Sequence, residues 1–290
     1  MNTKAILAQE FDSPRLLADI GGTYARFVLE VAKGEFQHSA TLRCQDYPDF
    51  YAAIRAYLDS LPQLTIVHAA VAIANPVDGD LVSMTNYHWQ FSIEEMRQKL
   101  GFDTLLIVND FTALAMALPR LAPNQVHQVG GGEARKQSVI GLLGPGSGLG
   151  VSGLIPAGDG WISLGSEGGH TSFAPRNERE IAILRYVWKH FDHVSFERLV
   201  SGPGLELIYR ALTDADGVAS ADLQAPEITQ RALDQDDRYC QEALDVFCAL
   251  LGTAAANLAV TLGAMGGIYI GGGIVPRLGE YFARSPFRQR

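Results

Sequence analysis

Two predicted strands of the chain end in carboxylates, at positions where an ionised side chain can do chemistry. The apolar run LLADI carries Asp19 and is followed at once by Gly21, Gly22 and Thr23. The run TLLIVN is followed by Asp110, just before the helical sequence TALAMAL. A carboxylate at the end of a buried strand costs free energy unless it meets a cation, a donor or water. Asp19 therefore predicts a loop that holds something charged.

Three glycine-rich turns each follow an apolar strand: DIGGT, GPGSGLG and GGGIVPR. Glycines at such positions let backbone N–H groups approach phosphate oxygens or a purine closely. One such turn is more often just a hairpin connection, but three of them, one with an Asp, favour a nucleotide site. The P-loop pattern is absent and GPGSGLG does not match the dinucleotide fingerprint, so another nucleotide-binding fold is expected.

These turns require a framework of alternating strands and helices, which predicts an α/β fold with ligands at strand ends. A strand, a glycine turn and a strand over 16–31 recur over 138–155, which suggests a duplicated architecture. Between them we expect helices over 47–61 and 92–101 and a long buried strand over 64–77. A long Ala-rich helix is predicted over 241–263. Two prolines near 119–123 place the boundary between a small domain, 1–120, and a large domain, 121–290.

Composition excludes several classes of protein. The net charge is -9 and no basic cluster is seen, which argues against a nucleic-acid or anionic-membrane surface. Three scattered cysteines, Cys44, Cys240 and Cys248, suggest neither a disulfide framework nor a structural zinc site. We find no apolar run of the roughly 20 residues that a membrane span requires. A soluble cytoplasmic protein is expected.

A series of motifs in this order resembles the bacterial glucokinases, within the sugar kinase, actin and heat-shock ATPase superfamily: ADIGGTYARF, VNDFTALAMALP, GPGSGLGV, GSEGGHTSFAP, SGPGLELIYRA and YIGGGIVPR. The related repressor and kinase class with a zinc-binding cysteine cluster is a poorer match, because that cluster is missing. The resemblance implies a two-domain ribonuclease-H-like (actin-like ATPase) fold with an interdomain cleft. It further implies a homodimer, and strand and helix following Arg290, so the sequence is expected to be shorter than the family's at this end.

The activity implied by this resemblance is ATP-dependent phosphorylation of the 6-hydroxyl of D-glucose. An alcohol is a poor nucleophile at neutral pH, and Asp110 is the candidate general base, with a plain helix N-cap as the alternative. Neighbouring Asn109 favours the base, because an amide beside a carboxylate offers donors and an acceptor to sugar hydroxyls. By the family motifs, Glu167 and His170 match sugar-hydroxyl ligands, and Glu197 matches the remaining one, although a Glu beside an Arg is more often on an exposed face.

The nucleotide residues follow from the same motifs. Asp19 is expected to face Mg²⁺ through water, and the remaining candidates are expected to contact ATP. Those from the first turn are Ala18, Ile20, Gly21, Gly22 and Thr23; those from the second are Gly146, Ser147 and Gly148; and those matching the adenosine-side motif are Gly271, Gly272 and Gly273.

Two other classes of function compete with a glucokinase. One is a kinase for another hexose or amino-hexose on the same scaffold. The other is a protein without sugar phosphorylation, either a sugar-responsive transcription regulator or an actin-like ATPase. The acidic charge and the lack of a helix-turn-helix domain before residue 16 argue against the regulator. The motifs NDF, EGGH and FERLVSGPG have no evident use in an ATPase without a polyol.

Overall fold

The computed structural model describes residues 13–62, 64–84 and 87–290. The chain divides into two compact units, the first ending at Leu114 and the second running from Ala115 to Arg290. This division lies within a helix, before the two prolines at which the sequence predicts it.

The first unit contains a five-stranded sheet, a separate two-stranded sheet and helices. Its strands are β1 (Arg15–Ile20), β2 (Tyr24–Ala32), β3 (Glu35–Arg43), β4 (His68–Ile73), the short pair β5 (Leu81–Ser83) and β6 (Gln90–Ser92), and β7 (Thr104–Asn109). Its helices are α1 (Phe50–Asp59), α2 (Ile93–Leu100) and α3 (Asp110–Ala117), the last of which crosses into the second unit.

The main sheet of this unit has the order β3-β2-β1-β4-β7. The first three strands form an antiparallel meander, while β4 pairs in parallel with both β1 and β7. Parallel pairing brings the carboxyl ends of β1, β4 and β7 to one edge of the sheet. The register places Ile20 opposite Ile73, and Ile73 opposite Asn109, so the two polar sequences after β1 and β7 emerge at that edge.

Sequence patterns predict most of these elements, with two corrections. Ser92 caps α2 by accepting from the amide of Glu95 at 3.1 Å, as its capping signature predicts. Helix α1 is capped by Asp49, so Pro48 lies before the helix rather than in its first turn. Strand β4 is only six residues long, and it pairs over this whole length with the six-residue strands β1 and β7.

The second unit repeats the same strand arrangement. Its strands are β8 (Ile140–Pro145), β9 (Leu149–Ala157), β10 (Gly160–Ser166) and β11 (Ile268–Ile270). Its helices are α4 (Glu178–Val187), α5 (Phe196–Leu199), α6 (Gly202–Ala215), α7 (Ala225–Asp234), α8 (Arg238–Leu262), α9 (Val275–Leu278) and α10 (Glu280–Arg284). The sheet order β10-β9-β8-β11, with an antiparallel meander and one parallel pair, matches β3-β2-β1-β4. The duplication suggested by the two glycine hairpins is thus confirmed.

Helix α8 forms the centre of the second unit's core. Asp237 caps its start and Gly263, at φ +60°, ends it, close to the predicted bounds. Its length and mean hydropathy are sufficient to cross a membrane, so the sequence-based statement that no run reaches that length is wrong. Sixty-one per cent of its most apolar window is buried inside the protein, against helices such as α6 and α7. Such burial is typical of a core helix.

Candidate active site

The carboxylate of Asp19 lies at the end of β1 beside a cation from the neighbouring strand. The β1–β2 register places Asp19 opposite Arg26, and Arg26 Nη1 lies 2.7 Å from Asp19 Oδ2. Both side chains are more than half exposed, at 51% and 59% respectively. Exposed ion pairs of this kind contribute little to stability, so the Asp19 carboxylate can exchange partners at low cost.

Cys44 braces the glycine turn after Asp19. The Gly21 amide closes the turn by donating to the Tyr24 carbonyl at 2.9 Å. Cys44 donates its N–H to the Thr23 carbonyl at 2.9 Å and its thiol to the Gly21 carbonyl at 3.4 Å. Burial raises the pKa of the Cys44 thiol, which keeps it a neutral donor. Because the Gly21 amide is used within the turn, the prediction of a phosphate-facing amide rests on Gly22 and Thr23.

Two other candidates from this motif lie within the sheet. The Ile20 side chain is fully buried in the core of the first unit, and the Ile20 carbonyl accepts from the Ala74 amide at 3.0 Å. Ala18 pairs with Phe27 and Val71 in mid-strand. Ala18 and Ile20 therefore belong to the sheet and the core that hold the glycine turn in place.

Asn109, and not Asp110, caps helix α3. The Asn109 Oδ1 accepts from the amides of Phe111 and Thr112 at 3.0 and 3.2 Å. Its Nδ2 donates to the Asn75 carbonyl at 3.3 Å, which ties β7 to the segment after β4. The capping role that competed with a base role for Asp110 is therefore filled by its neighbour.

Asp110 is a half-buried carboxylate in the first turn of α3. Burial raises its pKa, and the nearby charge of Asp19 adds to this shift, against the lowering effect of the Phe111 amide, which donates to Asp110 Oδ1 at 2.8 Å. A raised pKa makes the ionised form a better proton acceptor than an exposed Asp. The residue thus has the property that a general base requires.

In the second unit, the structure brings together Glu167, His170 and Glu197. His170 Nε2 lies 3.8 Å from Glu167 Oε2 and 3.9 Å from Glu197 Oε1. These separations are too long for direct hydrogen bonds. The three side chains therefore lie close together while their donors and acceptors are not used on one another. Such a cluster can direct hydrogen bonds to a polyol.

Backbone pairing explains why these residues meet although 30 positions separate the motifs. Ser172 and Ser195 form an antiparallel bridge, flanked by bonds from the Phe173 amide to the Val194 carbonyl and from the Phe196 amide to the Thr171 carbonyl, both at 2.9 Å. This pairing brings Glu197 back beside His170.

The glycine pair of this motif packs against the beginning of β9. A Cβ on Gly169 would lie 2.2 Å from the Leu149 carbonyl oxygen, and one on Gly168 would lie 2.9 Å from Val151. Both are closer than real Cβ contacts permit. Glycine is therefore required for the turn to sit on the strand.

The second glycine turn, Gly146 to Gly148, joins β8 to β9. It is held by a hydrogen bond within the turn and by hydrogen bonds to other parts of the chain. Gly146 donates its amide to the Gly148 carbonyl at 2.8 Å, and Gly202 at the start of α6 donates to the Gly146 carbonyl at 2.8 Å. The Leu149 amide donates to Glu197 Oε2 at 2.9 Å. The Gly146 amide is thus occupied, and the phosphate prediction for this turn rests on Ser147 and Gly148.

The third glycine turn, Gly271 to Gly273, follows β11 and packs on the end of β8. The Gly271 amide donates to the Leu143 carbonyl at 2.6 Å. Gly272 has φ +79°, and a Cβ there would lie 2.4 Å from the Pro145 carbonyl oxygen. The turn therefore needs glycine for its own conformation and packing, and its amide at Gly271 faces the protein.

A cavity of about 450 Å³ opens beside the second glycine turn, within the second unit. It is lined by Gly146, Ser147, Gly202, Leu205, Ala225, Pro226, Thr229, Gln230, Leu233, Ile274 and Arg277. Sequence reasoning missed the α7 residues Thr229, Gln230 and Leu233, because their spacing only indicates an amphipathic helix. Ile274 and Arg277 come soon after the third glycine turn. Their nearness to this turn in the sequence is the feature that could have predicted them as cavity residues.

Comparison with known proteins identifies relatives over nearly the whole chain. The family model described as glucokinase matches residues 16–290. The glucokinase of Chromobacterium violaceum is 57% identical over 277 residues, which cover 96% of this chain and 80% of that protein. Proteins described as bifunctional, from Paraburkholderia xenovorans and several Burkholderia species, are 57–60% identical. The chain spans about half the length of these relatives, 44–45%.

Solved structures agree with the predicted fold class. The crystal structure of a glucokinase from an Antarctic psychrotroph superimposes with a TM-score of 0.87 at 38% identity, covering 96% of this chain and 88% of that one. A ROK family glucokinase from Streptomyces griseus, solved in complex with glucose and AMPPNP, superimposes with a TM-score of 0.63 at 18% identity, covering 95% and 89%. The actin-like α/β fold predicted from the motifs is confirmed.

Proposed function

The chain belongs to the glucokinase family, and on that premise we propose that it transfers the γ-phosphoryl group of ATP to the 6-hydroxyl of D-glucose. The observation that carries the proposal is the cluster of Glu167, His170 and Glu197, because Glu197 also touches the glycine turn expected to bind phosphate. A polyol-binding cluster joined to a phosphate turn suits a sugar kinase. The Streptomyces griseus relative, which holds glucose and AMPPNP, supports these two ligands.

The sugar is selected by directed hydrogen bonds. Glu167, Glu197 and His170 supply acceptors and a ring nitrogen to neighbouring hydroxyls. A sugar lacking a matching hydroxyl would leave these groups unpaired, which penalises its binding strongly. We therefore expect a preference for sugars whose hydroxyls match these groups.

The proposed chemistry begins with proton transfer to Asp110. As O6 of glucose attacks the γ-phosphorus, the Asp110 carboxylate takes the O6 proton, the bond from the γ-phosphorus to the bridging oxygen breaks, and ADP leaves. The raised pKa of Asp110 suits this task. Most of the remaining acceleration comes from alignment and from charge stabilisation by backbone donors.

We assign the triphosphate to the glycine turns and the adenosine to the cavity of the second unit. Gly22, Thr23, Ser147 and Gly148 offer backbone donors to phosphate. The cavity opens beside Gly146 and Ser147, and its apolar lining of Leu205, Leu233 and Ile274 suits the faces of a purine. Its volume of about 450 Å³ is in the range of small-molecule sites.

Asp19 fits a role in holding Mg²⁺. The part of the chain that the structure describes contains no group of three or more His, Cys, Asp or Glu side chains able to hold a metal ion by themselves. Mg²⁺ commonly uses one or two carboxylates together with phosphates and water, so the half-exposed Asp19 is sufficient. When bound, the ion neutralises charge on the phosphates. We further propose, on the family resemblance, that the protein is cytoplasmic, that its chain has two domains, and that it forms a homodimer.

Filling the cavity should weaken ATP binding selectively. Thr229 lines the cavity from α7, and Thr229→Trp places an indole in the volume assigned to adenosine. We expect the KM for ATP to rise at least about tenfold, equivalent to about 1.4 kcal/mol of binding energy, with unchanged glucose affinity. Steady-state kinetics measure both. Arg231→Trp, on the exposed side of the same helix, is the matched control, and an equal effect in the control would contradict the assignment.

The pH dependence of kcat/KM should report the raised pKa of Asp110. The base acts only when ionised, so activity should fall as the pH drops through this pKa, which lies above the ordinary 3.8 of an Asp. Rates from acidic to neutral pH measure the midpoint. A midpoint at the position of an exposed Asp would contradict the prediction.

The raised pKa of Asp110 also predicts how the stability of the protein depends on pH. Ionised Asp110 costs folding free energy above its folded-state pKa, because burial penalises its charge. Asp110→Asn should therefore melt at a higher temperature than the wild type at neutral pH. The difference should disappear in acid, where both side chains are neutral.

Phosphorylation of glucose by ATP, followed with and without Mg²⁺, tests the proposed function. Product should form only with all three present, and it should form faster than with other hexoses or amino-hexoses. ATP consumption that is independent of sugar would favour an ATPase. Faster phosphorylation of another hexose would show that this hexose, and not glucose, is the preferred substrate.

A further inference from the structure

Glu197 divides its two carboxylate oxygens between two tasks. Oε2 accepts from the Leu149 amide at 2.9 Å, at the end of the glycine turn. Oε1 faces His170 Nε2 at 3.9 Å, on the side of the polyol cluster. The Glu197 side chain is 32% exposed, whereas the His170 side chain that it faces is 60% exposed. One side chain thus joins the glycine turn to the cluster.

The glycine turn is shaped to receive this carboxylate. A Cβ on Gly148 would lie 2.5 Å from Glu197 Oε2, closer than any real Cβ contact. Gly148 therefore leaves the space that the carboxylate fills. Neither its conformation nor a tight turn demands this glycine, because its φ is not in the left-handed region.

The backbone also fixes Glu197 at this place. Glu197 is in the first turn of α5, whose cap, Ser195, is 3% exposed and bridges to Ser172. The Ser195 hydroxyl accepts from the Arg198 amide at 3.3 Å. Because the backbone at Glu197 is fixed by these contacts, its side chain can hold the glycine turn Gly146 to Gly148 in place.

We propose that Glu197 is a positioning residue for the turn Gly146 to Gly148, in addition to its role toward sugar. The inference rests on the proposed function, which assigns this turn to phosphate. Two backbone bonds hold Gly146, whereas the Leu149 amide at the other end of the turn donates to the Glu197 side chain. The bond from the Leu149 amide to Glu197 Oε2 is part-buried, so removing the carboxylate would leave a partly desolvated donor without this acceptor, and this end of the turn would shift to satisfy it.

Binding of ADP with excess Mg²⁺ and no sugar, measured by isothermal titration calorimetry, tests the proposal. Glu197→Ala should weaken ADP binding about tenfold, because a hydrogen bond to a charged group contributes at least this factor. Glu197→Gln keeps a carbonyl oxygen for the Leu149 amide and should restore ADP affinity to within about twofold of wild type. Glu167→Ala removes the other carboxylate beside His170 and should leave ADP affinity unchanged.

Three results would overturn the proposal. They are wild-type ADP affinity in Glu197→Ala, equal weakening by Glu197→Gln, and equal weakening by Glu167→Ala. Gly148→Ala gives a second approach should Glu197→Ala fold poorly, since its methyl group displaces the carboxylate, and unchanged ADP affinity there also contradicts the proposal. Glucose phosphorylation by the wild type is measured separately. If the wild type phosphorylates glucose but ADP affinity does not depend on Glu197, the proposed function stands and the positioning role is contradicted.

Discussion

Replacing Asp110 with Ala is expected to lower kcat by about 10²- to 10⁴-fold, the contribution of a positioned general base. Glucose affinity should change little, because Glu167, His170 and Glu197 lie in the other unit and do not depend on this carboxylate. Kinetics give kcat, and calorimetry gives the glucose Kd.

Asp110→Asn is the matched control for this result. The amide keeps the size of the side chain and an oxygen for the Phe111 amide, but it cannot take a proton at neutral pH. A base role predicts that Asn and Ala lose turnover alike. Near-normal turnover in Asp110→Asn would show that the side chain acts through packing or hydrogen bonding.

Asp19→Asn is expected to lower kcat by on the order of 10²-fold or more, as for the removal of one group that stabilises developing charge. The Mg²⁺ concentration required for half-maximal rate should rise with it. The folded state should be affected little, because the exposed pair with Arg26 contributes little free energy. Rates over a range of Mg²⁺ concentrations, together with thermal melting, separate these effects.

Asp59→Asn provides the control for Asp19→Asn. Asp59 forms a comparable exposed ion pair with Arg55 at the end of α1. The change in charge and the loss of an arginine partner are thus the same at both positions. A kinase that responds equally to both variants would contradict a specific role for Asp19.

The sequence alone was informative wherever a local cause determines the structure. Ser92 begins α2 because its side chain satisfies the amide of Glu95, three residues later. The two glycine hairpins predicted the duplicated sheet, since strand pairing across a short turn is local. Asp110 could be predicted as a candidate base because its position between a strand and a helix is visible in the order of residues.

Long-range pairing decided what the sequence left open. No local pattern shows that Glu197 meets His170, or that it accepts from the Leu149 amide, because both contacts depend on the bridge between Ser172 and Ser195. The competing interpretation of Glu197 as part of an exposed face is wrong for the same reason. Likewise, the cavity beside Ser147 is enclosed by α7 and by residues after β11, which are distant in sequence.

The types of the site residues and the repeated strand order were therefore determined by the sequence, since propensity, capping and turn chemistry act over a few positions. The tertiary structure decided which amides of the glycine turns are used within the protein, whether Asn109 or Asp110 caps α3, and why Gly148 and Gly169 lack side chains. Each depends on an atom brought in from a separate part of the chain. Steric and hydrogen-bonding constraints of that kind exist only after the chain has packed.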